Sequence, residues 1–236
     1  MPPRDNLRRE EGFVDDCISR GVDGFVAQTY RLSEDDIGRL VEAGIAVVIH
    51  GITPTHPLTD NVVFAKVRTV EEVIAYLIDK GHRRIGTIAG PQDRWPGRLR
   101  KEGYVNALQA HGIPVEDELI CEVDSFTRGS GVPGIQRLLA LPEPPTAVFA
   151  SNDVHAVDAL FFALDAGLSV PGDLAIVGFD DTPEATTVRP RLTTIHKDTE
   201  WLGTTAVQMV VERIASQDPI PSRRKVPDLN LVRESA

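Results

Sequence analysis

The sequence has few cysteines, no long apolar run and no excess of positive charge, and each absence excludes a class of protein. Cys17 and Cys121 are the two cysteines of the 236-residue chain, which is too few for a disulfide framework and favours a reducing compartment. No apolar run approaches the roughly 18 residues of a membrane-spanning helix, and the charged N-terminus does not resemble a signal peptide. The sequence therefore predicts a cytoplasmic protein that does not enter a membrane.

The charge balance argues against direct contact with nucleic acid. The formal net charge is −10, whereas contact with phosphate groups requires a concentrated positive surface. The basic stretches Arg98–Lys101 and Arg223–Lys225 are short, and we interpret them as solvated faces or ligand contacts.

Motifs of common enzymes are also missing. The sequence contains no G-x-S-x-G elbow, Walker A loop or G-x-G-x-x-G fingerprint, and its histidines show no His-x-x-x-His spacing. We therefore predict no catalytic residue, no metal and no cofactor. One alternative stays open, because Asp180 and Asp181 could together hold Mg²⁺ in a metal-dependent enzyme.

Helix-like and strand-like segments alternate along the chain. Continuous β-branched or apolar runs such as Ile45–Ile49 and Ile85–Ala89 predict strands covered on both faces, while Thr69–Lys80 has a helical pattern that ends at Gly81. Repeated β-α-β units of this kind predict an α/β fold with doubly wound parallel sheets. After a connection rich in proline and threonine, the run Asn61–Val67 is predicted to be extended.

The predicted strands are too many for one compact sheet, so we expect two lobes joined by crossing strands. The crossings are placed near Phe64–Lys66 and Thr194–Lys197. The N-terminal lobe then comprises residues 1–64 and 198–222, and the C-terminal lobe comprises residues 65–197 and 223–236.

Polar and aromatic residues follow several predicted strands at the point where each strand ends. Because the carboxyl ends of parallel strands meet at one edge of the sheet, we expect these side chains to be neighbours. Carboxylates, amides, a forked guanidinium and aromatic faces together suit a small polyhydroxylated or amide-bearing ligand. The candidate ligand-binding residues are Trp95, Arg98, Arg100, Asp124, Phe126, Asn152 and Asp180.

Each candidate also has a structural interpretation. Asn152 could be only the N-cap of the following helix, Asp180 could simply terminate a strand, and Arg100 could be solvated. Trp95 and Phe126 could pack between lobes. The hypothesis of a binding site depends on the convergence of these residues at one edge.

Several segments, in order, resemble motifs of the lactose-repressor (LacI/GalR) family of transcription regulators. They extend over most of the chain with family-like spacing, and their agreement in order is more specific than any one of them. The segments are Gly81–Ile85 with Ile88–Gly90, Arg100–Tyr104, Thr146–Asp153, Val177–Asp181, Pro190–Ile195 and Leu231–Ser235.

The resemblance implies a periplasmic-binding-protein-like fold, a homodimer, and a sugar-like effector bound between two lobes. Carried over by motif, Arg100, Asn152 and Asp180 would be polar effector contacts, with Asp124 and Lys197 as additions. Effector binding would modulate operator affinity by favouring one lobe arrangement. The alternative is a periplasmic sugar-binding protein of an ABC transporter, which the absence of a signal peptide disfavours.

The sequence departs from the family pattern in three respects. The family's DNA-binding headpiece is absent, so operator DNA would be bound only through a segment that this sequence lacks. The first β-α unit is also absent, which predicts an incomplete N-terminal lobe. Finally, Ala65-Lys66 and His50 stand where the family commonly has Asp-Asn and Asp, so the class of effector stays open.

Overall fold

A computed structural model of the protein describes residues 12–29, 32–51, 54–63, 66–216, 218–225 and 231–236. Strands and helices alternate through these residues, as the sequence predicts. The strands are β1 Gly24–Thr29, β2 Ala46–Gly51, β3 Thr59–Val62, β4 Ile85–Ala89, β5 Ile120–Glu122, β6 Ala147–Ala150, β7 Ala175–Asp180, β8 Thr193–His196, β9 Arg224–Lys225 and β10 Leu231–Val232. The helices are α1 Phe13–Ser19, α2 Glu34–Glu42, α3 Lys66–Asp79, α4 Trp95–Ala110, α5 Val132–Leu139, α6 Asp153–Asp165, α7 Pro183–Thr187 and α8 Thr199–Ala215.

The chain divides into two compact units, each with its own sheet. Unit 1 comprises residues 1–64 and 198–227, and unit 2 comprises residues 65–197 and 228–236. The sequence placed residues 223–236 in the C-terminal lobe, but Arg224 and Lys225 pair with Asn61 and Val62 in the sheet of unit 1. The predicted boundary after residue 222 is therefore too early. Of the predicted first crossing, Phe64 and Ala65 lie outside the described residues.

In unit 1, a parallel sheet of order β1-β2-β3-β9 is covered by helices on both faces. Side chains alternate along β2, because Val47 packs with residues of α1 and α2, whereas Val48 packs with residues of α8. This explains why the β2 sequence is continuously apolar instead of alternating. His50 near the end of β2 is also buried, and its Nδ1 lies 2.7 Å from the carbonyl oxygen of Val62.

A buried carboxylate joins three parts of unit 1. Asp60 on β3 is fully buried and accepts hydrogen bonds from the guanidinium Nη2 atoms of Arg213 on α8 and Arg223 before β9, each at 2.7 Å. It also accepts a bond from the Arg223 backbone N–H at 2.9 Å. Burial alone would raise the pKa of Asp60, but these bonds outweigh burial and hold the pKa below its ordinary value.

In unit 2, the sheet has the order β10-β8-β7-β6-β4-β5, with β10 antiparallel to β8 and the remaining strands parallel. Helices α5 and α6 cover one face, where Ile135 and Leu160 pack against Ile88, Val148 and Ile176 of the sheet. Ser235 fastens the C-terminal segment, because its buried hydroxyl donates to the Ile176 carbonyl at 2.5 Å and accepts from the Thr193 N–H at 2.8 Å.

Three local predictions differ from the structure. The predicted extended run Asn61–Val67 ends in strand form at Val62, and α3 begins at Lys66, earlier than the predicted Thr69. Helix α4 begins at Trp95, before the predicted Leu99, because Pro96 suits a first helical turn. The short helix α7, which also carries a proline in its first turn, was not predicted.

Replacing Asp60 with alanine is expected to lower the free energy of unfolding of unit 1 by about 3–5 kcal/mol, because it leaves two arginines without their shared carboxylate. Urea denaturation followed by the fluorescence of Trp201 measures this effect. Trp201 lies on α8 and packs in the unit 1 core, and a Trp95→Phe background makes it the sole tryptophan.

The matched control is Asp15→Ala in the same background. Asp15 pairs with Arg39 at the surface of unit 1, and exposed ion pairs contribute little to stability. If Asp60→Ala shifted the midpoint no further than Asp15→Ala, the buried carboxylate would not have the stabilising role assigned to it.

Candidate functional site

The parallel register of unit 2 brings five chain segments to one edge of its sheet. Strands β4 to β8 are mutually parallel, so the residues that follow them share the carboxyl edge. These segments begin at Gly90, Val123, Ser151, Asp181 and Lys197. The predicted candidates follow these strands or belong to the start of α4.

Arg100 is the centre of a polar cluster at this edge. It is 6% exposed and donates from Nη1 to the Ser151 carbonyl oxygen and from Nη2 to Asp180 Oδ1, the latter at 3.3 Å. Its guanidinium carbon lies 3.8 Å from the centre of the Phe179 ring, close enough for a cation–π contact. Arg100 is therefore paired within the protein, in contrast to the solvated interpretation.

Phe126 forms an aromatic wall beside this cluster. Its ring centre lies 5.9 Å from the Arg100 guanidinium carbon and 5.8 Å from the centre of the His155 ring, nearly parallel to it. A side chain at Gly90 would collide with the Phe126 ring, since a Cβ there would lie 2.2 Å from its nearest atom. The glycine after β4 thus makes the room that this ring occupies.

Asn152 is the N-cap of α6, as one of the two interpretations expects. Its Oδ1 accepts from the His155 backbone N–H at 2.8 Å, and its Nδ2 donates to the Phe126 carbonyl oxygen at 3.2 Å. The amide thereby joins the start of α6 to the segment that carries Phe126. Its structural role is settled by these bonds, while ligand contact stays a prediction.

His155 is fully buried beneath the aromatic wall, and burial lowers its pKa. Its Nε2 lies 2.9 Å from the Ser125 carbonyl oxygen, which can only accept, so Nε2 carries the ring proton. Its Nδ1 then accepts from the Ser151 hydroxyl at 3.1 Å. A neutral histidine is thus held in one tautomer and supports the neighbouring strand ends.

The end of β7 has a backbone that non-glycine residues rarely adopt. The φ angles of Asp180 and Asp181 are 112° and 54°. Asp181 accepts a hydrogen bond from His196 Nδ1 at 2.8 Å and forms an ion pair with Arg233 at 2.5 Å. Burial would raise the pKa of Asp181, but these partners hold it below its ordinary value. Asp180 retains a side chain that is 30% exposed.

Asp153 is buried at the first position of α6. Burial, together with the Asp180 charge, raises its pKa to about 6 against the opposing effect of hydrogen bonds from Thr194 and Thr182. The carboxylate accepts from the Thr182 backbone N–H at 2.6 Å and from the Thr194 hydroxyl. It thereby contacts the segment that follows Asp180.

The other predicted residues lie outside the Arg100 cluster. The Arg98 guanidinium carbon is 5.4 Å from the centre of the Trp95 ring, and its Nη1 donates to the Gln92 carbonyl oxygen at 2.9 Å. Trp95 is 43% exposed. Asp124 is exposed after β5, and Lys197 is half-buried after β8. Among the described residues, neither shares a hydrogen bond with the Arg100 cluster.

Sequence reasoning missed Phe179, Ser151 and Asp153 as parts of this arrangement. The sequence predicts Phe179 only as a strand residue and Ser151 only as part of a connection. No sequence pattern indicates that a phenylalanine will form a cation–π contact or that a backbone carbonyl will accept a hydrogen bond from an arginine. Asp153 could have been found, since an acidic residue at the first position of a helix, directly after a strand end, lies at the same edge.

Within the described ranges, the structure shows no group of three or more His, Cys, Asp or Glu side chains arranged to hold a metal ion. Asp180 and Asp181 are paired instead with Arg100 and with Arg233 and His196. A search of the same ranges finds no helix long and apolar enough to cross a membrane.

The strain at Asp180 is expected to appear as a difference between two variants. Asp180→Gly and Asp180→Ala both remove the carboxylate, but only glycine adopts a φ of 112° without steric cost. Asp180→Gly should therefore be more stable than Asp180→Ala by about 1–3 kcal/mol, measured by thermal unfolding. The control is Ala140→Gly, at an exposed position with a φ of −84°, which should be neutral or destabilising. Equal stability of the two Asp180 variants would show that the backbone is not strained there.

Asp153 is expected to make the stability of unit 2 depend on pH. Its pKa in the folded protein, about 6, lies above the ordinary value of 3.8, so the folded state binds this proton more tightly than the unfolded state. Its contribution to the free energy of unfolding therefore falls by about 2 kcal/mol as the pH rises from about 4 to about 6. Urea denaturation of Asp153→Asn should show a smaller loss over that range than the parent protein. Parallel curves for the two proteins would argue against a raised pKa.

The comparisons with known proteins agree with this architecture. Residues 74–236 match the family of periplasmic binding protein-like domains. The chain is 34% identical over 226 residues to the HTH-type transcriptional repressor CytR of Escherichia coli K12, and 32% identical over 223 residues to the HTH-type transcriptional repressor PurR of Yersinia pestis. These matches cover 95% and 94% of the chain and 65% of each relative, so the chain spans about two thirds of their length.

A solved structure of similar fold is the complex of the transcriptional regulator CelR with cellobiose. It superposes with a TM-score of 0.82 at 33% sequence identity, over 96% of this chain and 69% of that one. The matched range 74–236 includes all the segments that resemble the LacI/GalR motifs. The chain belongs to the family of periplasmic binding protein-like domains, in the form found in LacI-type transcription regulators.

Proposed function

We propose that this chain is the effector-sensing part of a LacI-type transcriptional regulator, and that unit 2 contributes the Arg100–Asp180 cluster to a site for a small sugar or related metabolite. The proposal assigns the chain a binding role with no catalytic step. Its effector would act by favouring one of two states of the regulator, by as much as its affinities for them differ.

The observation that carries the proposal is the pairing of a buried guanidinium with a half-exposed carboxylate at the carboxyl edge of a parallel sheet. Arg100 is 6% exposed, whereas the Asp180 side chain is 30% exposed. A carboxylate oriented by a fixed cation can still accept hydrogen bonds from ligand hydroxyl groups. The adjacent Phe126 ring offers a face to the apolar side of a sugar ring.

The known relatives support this assignment over the transporter alternative. CytR and PurR are named as transcriptional repressors, and CelR has been solved with cellobiose, a disaccharide. None of these three is named as a transport protein. The effector of this chain is accordingly proposed to be a sugar or a related polar metabolite, with Asp124, Lys197, Trp95 and Arg98 as further candidate contacts.

We further infer a homodimer, as the family resemblance implies, and an indirect effect on operator DNA. The net charge of −10 disfavours phosphate contact by this chain itself. Operator contact would then belong to a helix-turn-helix segment of the kind named in the repressor relatives.

A thermal-shift screen against cellobiose, ribose, inorganic phosphate and adenosine tests the proposal. We expect at least one sugar or nucleoside to raise the melting temperature, because a ligand that binds only the folded state stabilises it. Asp180→Ala should weaken that ligand by about tenfold to a hundredfold, since a hydrogen bond to a charged group is lost.

The matched control is Asp173→Ala, which makes the same change in charge. Asp173 is bonded to Ser169 and precedes β7, so it lies at the amino edge of the sheet. Asp173→Ala should bind with unaltered affinity. Equal affinity of the Asp180→Ala and Asp173→Ala proteins would remove Asp180 from the site, and the absence of any ligand among sugars and nucleosides would contradict the proposed effector class.

A further inference from the structure

We propose that Asp153 is a positioning residue that holds the segment 180–182, hereafter the Asp180 turn, in the conformation that presents Asp180. The value of this role for ligand recognition rests on the proposed function. The contacts that define the role lie wholly within unit 2 and involve no ligand.

Two hydrogen-bonded routes connect Asp153 to the Asp180 turn. In the direct route, the Thr182 backbone N–H donates to Asp153 Oδ2 at 2.6 Å. In the relayed route, the Thr194 hydroxyl donates to Asp153 Oδ1 and accepts from the Asp181 backbone N–H at 3.4 Å. One buried carboxylate therefore holds two successive amide groups of the turn.

The turn requires such an anchor because its backbone conformation is unfavourable. Asp180 and Asp181 both have positive φ angles, and such residues persist only where the surrounding structure determines them. The anchor on one side is Asp153. On the other side, Arg233 and His196 hold the Asp181 carboxylate, and Arg100 holds that of Asp180.

A glycine on β7 makes room for the carboxylate. Gly178 lies directly beside it, and a Cβ at that position would be 2.3 Å from Asp153 Oδ1. Thr194, the register partner of Gly178 on β8, donates to the same oxygen. Asp153 is 1% exposed, so its oxygens cannot exchange these partners for bulk water without opening of the structure.

The ionisation state of Asp153 should change the strength of the hydrogen bonds that hold the Asp180 turn. The charged or titratable groups on the packed elements are Asp180 and Asp181 at the end of β7, His196 on β8, Glu184 on α7, Arg137 on α5, and His155, Asp158 and Asp165 on α6 itself. The Asp180 charge acts with burial to raise the pKa of Asp153 to about 6. The ionised carboxylate is a stronger acceptor for the Thr182 N–H than the neutral acid.

Amide hydrogen exchange, measured residue by residue by NMR on the protein without ligand, tests this role. In Asp153→Ala, the corrected exchange rate of the Thr182 amide should rise by about tenfold or more, because its acceptor is gone. In the parent protein, protection of the Thr182 amide relative to that of the Gly131 amide should fall as the pH drops through about 6, because the bond to the ionised acceptor weakens while protonation of Asp153 stabilises unit 2 as a whole. In Asp153→Asn, which keeps one acceptor oxygen, protection should be intermediate and should not change over that pH range.

Asp158→Ala is the matched control, because Asp158 is a buried aspartate on the same helix with a different pair of amides. Its Oδ2 accepts from the Gly129 and Gly131 backbone N–H groups at 2.8 and 3.0 Å. Asp158→Ala should raise exchange at Gly131 and not at Thr182, and Asp153→Ala should do the reverse. Unchanged Thr182 protection in Asp153→Ala, or an equal rise at both amides, would overturn the proposal.

If Asp153→Ala does not fold, Thr194→Val provides the same decision. It removes the hydroxyl of the relayed route, so exchange at Asp181 should rise while Gly131 stays protected, and an unaltered Asp181 rate would contradict the relay. Because no ligand enters these measurements, they remain decisive even if every compound in the thermal-shift screen fails. In that case the positioning role would stand and the proposed function would not.

Discussion

Arg100 brings a positive charge to a position where 6% of the residue is accessible, and such burial is costly unless the charge is paired and hydrogen-bonded. Its partners are the Ser151 carbonyl, the Asp180 carboxylate and the Phe179 ring. These belong to β7 and to the residue that follows β6, so the guanidinium ties neighbouring strand ends together. The conformation of the carboxyl edge of unit 2 depends on this arrangement.

Unit 1 also contains a buried charged group that is paired with groups of opposite charge, but its central group is negative. Asp60 is a fully buried carboxylate surrounded by two guanidinium groups, and it ties β3 to α8 and to the segment before β9. In each unit a buried charge orders segments that are distant in sequence. The difference lies in access, because the Asp180 partner of Arg100 is 30% exposed, whereas Asp60 is closed off. A fully buried ion pair can stabilise a fold, whereas a partly exposed ion pair can also contact a ligand.

The sequence predicted the alternation of strands and helices, and most elements agree with it closely. Strand β4 was predicted at its observed bounds, because Ile85–Ala89 consists of β-branched or small residues and is bounded by basic residues and glycine. Helix α4 was predicted to begin at Leu99, but it begins at Trp95 because its first turn accommodates Pro96. The pairing of β9 with β3 was missed because a two-residue strand carries no periodic pattern.

The candidate site was predicted in part. The rule that parallel strands share a carboxyl edge identified Asp180, Asn152, Arg100 and Phe126 as neighbours, and their contacts agree. It could not distinguish them from Asp124 and Lys197, which follow strands equally well yet have no hydrogen bond to Arg100 among the described residues. Nor could it show that Asn152 uses its amide as a helix cap, because that depends on side-chain geometry.

The most direct test of ligand binding at this edge is a titration of the ¹⁵N-labelled protein with cellobiose and ribose, followed by amide chemical shifts. We expect binding to perturb amides at the carboxyl edge of unit 2, with those of Gly90, Ser151 and Asp181 among the most strongly shifted. Perturbations confined to the amino edge, near Asp173 and Pro145, would contradict the claim that this edge is the binding surface.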